Sequence, residues 1–366
     1  MMKLSIFKSL GIMLLSCFFL QSCGDSQTRL SSTVPATQQH FEWKLVTSWP
    51  KNFPGLGRAP ETFAKHVERM SNGRLKIKVY GAGEIVPGFE VFDAVSQGTA
   101  EMGHAAAYYW KGKVPAAQMF TAIPFGMNAT EMNGWFYYGG GLELWREVYK
   151  PFGVIPFPGG NTGVQLAGWF KKPINSIDDL QGLKMRIPGL GGEVLKKVGG
   201  VPVALTGGEL FTSLQTGAID ATEWVGPYND LAFGLYKAAD YYYYTGWHEP
   251  GAALEFTVNQ KAFNSLPDDL KAIIEVATQA VNQDMLDEYT ARNNEAMQTL
   301  INKHHVDMRP FPPEVVEKLK TASLEVMQEH AATDPLFAKV YQSYSEFQKK
   351  VAAYHKISEF EYYKNR

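Results

Sequence analysis

Residues 41–48 (FEWKLVTS) set β-branched and aromatic residues among single polar positions, a pattern that predicts a strand. A Gly/Pro-rich loop runs from Trp49-Pro50 to Pro60. Over 61–70, Phe63, Val67 and Met70 recur on one helical face, and Ser71-Asn72-Gly73 marks the stop. Leu75, Ile77 and Val79 then alternate with Lys76 and Lys78, the period of a half-buried strand. Strand, helix and strand in that order predict a parallel sheet.

The unit returns later in the chain. Residues 90–98 (EVFDAVSQG) resemble 209–217 (ELFTSLQTG). Both read as a short helix with Phe and Val/Leu inward and a closing glycine, where positive φ costs little. Each precedes a strand-like segment, 100–104 in one case and 219–224 in the other, and a further helix and strand (193–198, 201–205) come before the second copy. Two copies in different halves predict an α/β fold of two like lobes around a cleft, with ligands beyond the C-terminal strand ends.

From 268 to 301 there is neither Pro nor Gly, and Leu270, Ile274, Val281 and Met285 recur at helical spacing. This predicts a long connecting spine helix, followed by amphipathic helices over 314–330 and 337–355. The aromatic end Phe360-Glu361-Tyr362-Tyr363 is expected to pack on something, since mobile tails are usually polar. The organisation expected is 1–22 signal peptide, 23–40 tether, 41–160 mainly the first lobe and 161–260 mainly the second with crossovers. The spine over 261–302 and a C-terminal helical region over 303–366 complete it.

A chain of 366 residues has room for two cores, and 45% hydrophobic with 20% charged residues is an ordinary globular balance. A net charge of −2 argues against nucleic acid as a partner. The two cysteines, Cys17 and Cys23, both precede the expected fold, which excludes thiol catalysis there. Lys3 and Lys8 followed by a mostly apolar run over 10–20 have the layout of a secretory signal, and the run is too short to span a membrane. Leu20-Gln21-Ser22-Cys23 resembles a bacterial lipobox, so Cys23 is expected to be acylated and to anchor an exported, periplasmic protein to a membrane through the polar segment 24–39. Other motifs fail. His304 and His305 are adjacent and not four apart, Gly139-Gly140-Gly141 lacks a following Gly-Lys-Ser/Thr, and no G-x-S-x-G occurs.

Candidate chemistry gathers in the loops after the repeated units. Arg186 follows strand-like residues and precedes a Gly-rich helix start, where a planar guanidinium could clamp a carboxylate or simply form a surface ion pair. Glu223 and Glu249 are either solvated loop acids or, with an amide oxygen, oxygen ligands converging on a hard cation. Trp224 could flank a ligand's apolar end or be a core indole. Tyr108 and Tyr109 follow the first repeated strand and so fall at the cleft by symmetry with Trp224, one of the two being expected to turn into the core. Gln165 follows Gly159-Gly160-Asn161-Thr162-Gly163, read as a loop that brings backbone close to a ligand.

The stretch Gly182-Leu183-Lys184-Met185-Arg186-Ile187-Pro188 resembles the G-x-K-x-R motif of the substrate-binding proteins of TRAP transporters, which are ATP-independent periplasmic uptake systems. Gly217-Ala218-Ile219-Asp220-Ala221-Thr222-Glu223-Trp224 resembles that family's G-x-I-D-x-x-E segment, and the likeness runs from about residue 41 to the C-terminus. The resemblance implies a periplasmic binding protein fold, a TRAP permease as partner and a role in binding, not catalysis. The Glu-Trp ending is similar to the branch that binds small 2-oxo and 2-hydroxy monocarboxylates such as pyruvate or lactate. There Arg186 would grip the substrate carboxylate, and Gln165, Glu223, Glu249 and the Trp224 carbonyl would hold a bridging sodium or calcium ion. The resemblance also implies a homodimer through the C-terminal helices, whose stripe of Leu336, Phe337, Val340, Tyr341, Tyr344 and Phe347 is extended by Phe360, Tyr362 and Tyr363. The reading that competes is an enzyme of the same fold, such as a metal-assisted keto-acid lyase; a structural lipoprotein is the third.

Overall fold

The computed structural model describes residues 39–366, so the signal segment, most of the tether and Cys23 lie outside the described residues. The opening follows its hydrophobic pattern. β1 (Phe41–Thr47), α1 (Ala59–Met70) and β2 (Leu75–Tyr80) make a parallel β-α-β unit, with Phe41 opposite Leu75 and Val46 opposite Tyr80. Phe63 and Val67 are buried, but Met70 is 42% exposed, because the last residue of the helix overhangs the core. α2 (Val91–Gln97) leads to β3 (Met102–Ala105), which pairs in parallel with β1. α3 (Ala129–Tyr138) and α4 (Gly141–Tyr149) lead to β4 (Val154–Asn161).

The chain then crosses to a second sheet. There it forms β5 (Gly168–Phe170), β6 (Lys184–Arg186), α5 (Gly189–Lys197), β7 (Val201–Val203), α6 (Leu210–Thr216), β8 (Ala221–Thr222), α7 (Pro227–Phe233) and β9 (Tyr241–Tyr244). It returns for β10 (Ala253–Asn259), which lies in the first sheet although most of 161–260 belongs to the second. α8 (Gln260–Ser265) and α9 (Asp268–Asn302) lead to β11 (Asp307–Pro310), back in the second sheet.

The two sheets run β2-β1-β3-β10-β4 and β11-β9-β5-β8-β6-β7. They share a plan. β2-β1-β3 and β7-β6-β8 are parallel triplets in the same order, and each is extended by an antiparallel strand that follows or precedes a crossover, β10 in one and β5 in the other. α2 and α6 occupy equivalent places, and both stop on a left-handed glycine, Gly98 at φ 78° and Gly217 at φ 80°. The sequence repeat therefore marks two lobes of one construction.

α9 is 35 residues long, about 52 Å at the usual helical rise. It packs on α1 and β4 of the first lobe and on α7 of the second. The glycine-rich stretch before Gln165 is not all loop: Gly159 and Gly160 are the penultimate residues of β4, pressed against Phe256 and against Met285 of α9, with no room for a side chain. The C-terminal helices also bridge the lobes. α10 (Pro313–Thr333) packs on α5, and α11 (Pro335–Ile357) packs on α3 and α4. Phe337, Val340 and Tyr344 of the apolar stripe are buried within the chain itself, and the Tyr344 hydroxyl accepts the Met127 N–H at 2.6 Å. The tail α12 (Glu359–Asn365) packs on the end of α11, with Phe360 and Tyr363 bordering a surface pocket beside Asn128, Glu131 and His355, yet Phe360, Tyr362 and Tyr363 stay about 60% exposed. No helix among the described residues is long and apolar enough to cross a membrane.

Candidate functional site

The shared plan puts the C-terminal ends of β1, β3, β6 and β8 around one cleft, where open α/β sheets bind ligands. Trp49 follows β1, and Tyr108 and Tyr109 follow β3. Arg186 ends β6, and Glu223 and Trp224 follow β8. The two crossovers between the sheets complete the ring, Gln165 on 162–167 and Glu249 on 245–252. These segments lie side by side: the Gln165 N–H donates to the Glu249 carbonyl at 3.1 Å, and Gly246 sits so close to the Gln165 carbonyl that no larger residue fits. Trp49, Tyr108, Tyr109, Gln165, Arg186, Trp224 and Glu249 line one small cavity, which Thr162, Leu56, Val225 and Leu254 also border, and Glu223 reaches it through its pairing with Arg186.

Arg186 is 2% exposed. Its Nε donates to the Leu205 carbonyl at 3.1 Å, one terminal nitrogen pairs with the Glu223 carboxylate, and the other faces the Tyr109 hydroxyl at 3.5 Å. Its guanidinium lies 4.9 Å from the Trp224 ring centre, within cation–π range. Burial works to lower the Arg186 pKa, but Glu223 and the other acidic neighbours outweigh it and hold the group firmly charged.

Glu223 and Glu249 are both buried, and a single guanidinium stands against the two. Burial and the Glu223 charge push the Glu249 carboxyl well above its ordinary range, against the opposing pull of Arg186 and of hydrogen bonds from Tyr108 and Gln165. Gln165 shows what is missing. Its amide nitrogen donates to Glu249 at 2.7 Å and to Thr162 at 3.1 Å, while its amide oxygen is buried with no partner among the described residues. An acceptor left orphaned beside two carboxylates costs stability unless a cation or donor meets it. This donor set fits a hard cation.

Both tyrosines border the cavity, and Tyr108 is at the same time packed into the hydrophobic core behind it. The two rings pack edge to face at 4.9 Å. Burial, partly offset by Arg186, pushes the Tyr109 phenol up to about 12, so it is a neutral donor. Trp224 is buried yet borders the cavity, and its indole N–H has no partner among the described residues. Two residues escaped the sequence reading. His248, next to Glu249 in the same crossover, brings Nε2 within 3.3 Å of the second Glu223 oxygen, and Glu223, His248 and Glu249 offer ligand atoms all within 4.8 Å of one another. Because His248 already supports Glu223, and hard cations favour oxygen, it reads as the prop of a ligand. Trp49 is fixed by donating to His104 Nδ1 at 2.8 Å, while His104 Nε2 donates to the Gly159 carbonyl at 2.9 Å. Burial lowers the His104 pKa to about 4, which keeps it in that neutral state. Only adjacency to Glu249 hinted at His248. For Trp49 the signal was its place after the first strand.

Residues 45–334 match the family of bacterial extracellular solute-binding proteins, family 7. A periplasmic protein of Nostoc sp. named as binding monocarboxylate 2-oxoacids is 45% identical over 94% of this chain and 93% of its own length. A TRAP periplasmic solute-binding protein from Colwellia psychrerythraea, solved with bound calcium and pyruvate, superposes with a TM-score of 0.88 at 47% identity over 90% of this chain and 100% of the other. Its counterpart from Pseudoalteromonas atlantica, solved with sodium and pyruvate, gives 0.88 at 45% identity with the same coverage.

Proposed function

Since the chain belongs to the bacterial extracellular solute-binding proteins of family 7, we propose that its cleft captures a small 2-oxo or 2-hydroxy monocarboxylate of pyruvate or lactate size together with a cation, for delivery to a TRAP permease. The observation that carries this is the pair of buried carboxylates, Glu223 and Glu249, facing one guanidinium and an orphaned Gln165 oxygen. An incoming carboxylate and Glu223 already set two negative charges against Arg186, and burial favours the protonated form of Glu249. Ionising Glu249 as well, so that it can serve as an oxygen ligand, requires a further positive charge in this buried site. Sodium or calcium would be held by Gln165, Glu223, Glu249 and the Trp224 carbonyl, and would supply the attraction for the ligand's 2-oxygen and one carboxylate oxygen. Relatives that crystallised with pyruvate and either ion support the class. Arg186 takes the ligand carboxylate, Tyr109 can donate to it, and Trp224 with Tyr108 closes the apolar side.

A second carboxylate would find no further cation on the cavity wall, where Arg186 is the sole basic residue among the described residues. Calorimetric titration in calcium is therefore expected to give a saturable signal with pyruvate and none with succinate. Equal affinity for both would overturn the ligand class. Cys23 is proposed as the lipid-bearing residue that keeps the protein at a periplasmic membrane. The exposed Phe360, Tyr362 and Tyr363 on α12 favour a homodimer in which this face meets a second copy, while the buried part of the α11 stripe stabilises the single chain. Sedimentation velocity at micromolar concentration is expected to give twice the chain mass, and a monomer there would end the dimer claim.

A further inference from the structure

Outside the cavity, one carboxylate joins three parts of the molecule. Glu193 lies on α5, the helix that follows Arg186 and its Pro188-Gly189 turn. Its Oε1 meets Lys111 Nζ at 3.0 Å, and Lys111 belongs to the first lobe, immediately after the 107–110 turn that carries Tyr108 and Tyr109. The same ammonium donates to the Gly189 carbonyl at 3.2 Å. The other Glu193 oxygen is held by His330 of α10, whose ring stacks on Phe337 at 4.9 Å. Hydrogen bonds and charge from His330 and Lys111 lower the Glu193 pKa despite the opposing effect of burial. Neither Lys111 nor Glu193 lines the inner cavity.

We infer that Lys111 and Glu193 form an interlobe staple that positions Tyr108 and Tyr109 against Arg186 and slows ligand escape. The inference rests on the ligand-binding reading above. The geometry argues for it in three ways. The two segments stapled together are the two that carry the anion-facing side chains. At the seam, Gly189 adopts φ 58° with the Tyr108 ring 3.1 Å from where a side chain would begin, so a shift of this contact is passed directly to the tyrosine. Both Glu193 oxygens are engaged, which leaves its carboxylate one orientation. Lys111 and Glu193 are positioning residues, since they touch no ligand and act through the tyrosines and Arg186. His330 fixes Glu193 from a helix that itself rides on α5.

The side chains are 40% and 26% exposed, so screening limits the effect. Lys111→Met and Glu193→Gln are each expected to speed pyruvate dissociation roughly two- to fivefold, the scale of a partly exposed ion pair. Association should stay within about twofold and the melting temperature should be unchanged. The tryptophans bordering the cavity report both rates by stopped-flow fluorescence in calcium. The double variant should dissociate no faster than the faster single one, and the wild-type rate alone should rise with salt. Wild-type dissociation rates in both single variants, or effects that multiply in the double variant, overturn the staple. If the wild type gives no response to pyruvate, the ligand reading fails, and the staple is then decided by small-angle scattering of the ligand-free proteins. An increased radius of gyration in both variants supports it, and curves identical to wild type overturn it.

Discussion

Arg186→Lys is expected to lose pyruvate affinity by roughly 30- to 5,000-fold, the range that follows from about 2–5 kcal/mol for breaking a buried, hydrogen-bonded charge pair. Lysine keeps the charge that Glu223 needs, so the variant should fold; a neutral replacement would instead strand a buried carboxylate at a cost of about 3–5 kcal/mol. What lysine cannot reproduce is the fork. Arg186 spends one nitrogen on the Leu205 carbonyl at 3.1 Å and one on Glu223, and presents the third toward Tyr109 at 3.5 Å, where a ligand carboxylate would be met. A single ammonium drawn to Glu223 has nothing left for the ligand. It also loses the flat contact 4.9 Å from the Trp224 ring. Isothermal titration calorimetry reads the change, with a melting curve to show that the variant is folded. Wild-type affinity in a folded Lys variant would remove Arg186 as the anion clamp.

Much of this arrangement is legible in the sequence because local signals and tertiary structure agree. The alternation of Leu75, Ile77 and Val79 gives β2, the run without Pro or Gly gives α9, and the two Phe-bearing helices ending on Gly98 and Gly217 give the repeat of the lobes. Arg186, Glu223 and Trp224 are readable as site candidates because they sit at the ends of the strands after those helices. What periodicity cannot carry is the pairing of distant segments. Gln165 and Glu249 come together only because the two crossovers run side by side, 84 residues apart in the chain. His248 is found through its contact with Glu223 at 3.3 Å, which no spacing reveals. The same limit explains the tyrosines: adjacency suggests opposite faces, but the 107–110 turn is a tight 3-10 turn, and both rings reach the cavity. It also explains the α11 stripe, whose amphipathic pattern is equally suited to a second copy and to α3 and α4 of its own chain.

Calcium and pyruvate are expected to bind as mutual requirements. With the cation removed, Glu223 and the ligand carboxylate face one Arg186, and burial together with the Glu223 charge drives the Glu249 carboxyl upward, toward its protonated form. In that form Glu249 is a poor ligand and leaves nothing to bridge the 2-oxo acid. A cation met by the orphaned Gln165 oxygen removes the conflict. Linkage then demands that each partner tighten the other by one factor, and a coupling of about 3 kcal/mol corresponds to roughly 150-fold. The measurement is the pyruvate Kd at a series of free calcium concentrations set by chelator, paired with the calcium Kd at saturating and at zero pyruvate. The expected result is a pyruvate Kd that falls steeply as calcium rises, with the same fold-change in calcium affinity on adding pyruvate. A pyruvate Kd that stays constant from full chelation to saturating calcium, and likewise across sodium concentrations, would contradict the bridging cation and the account built on it.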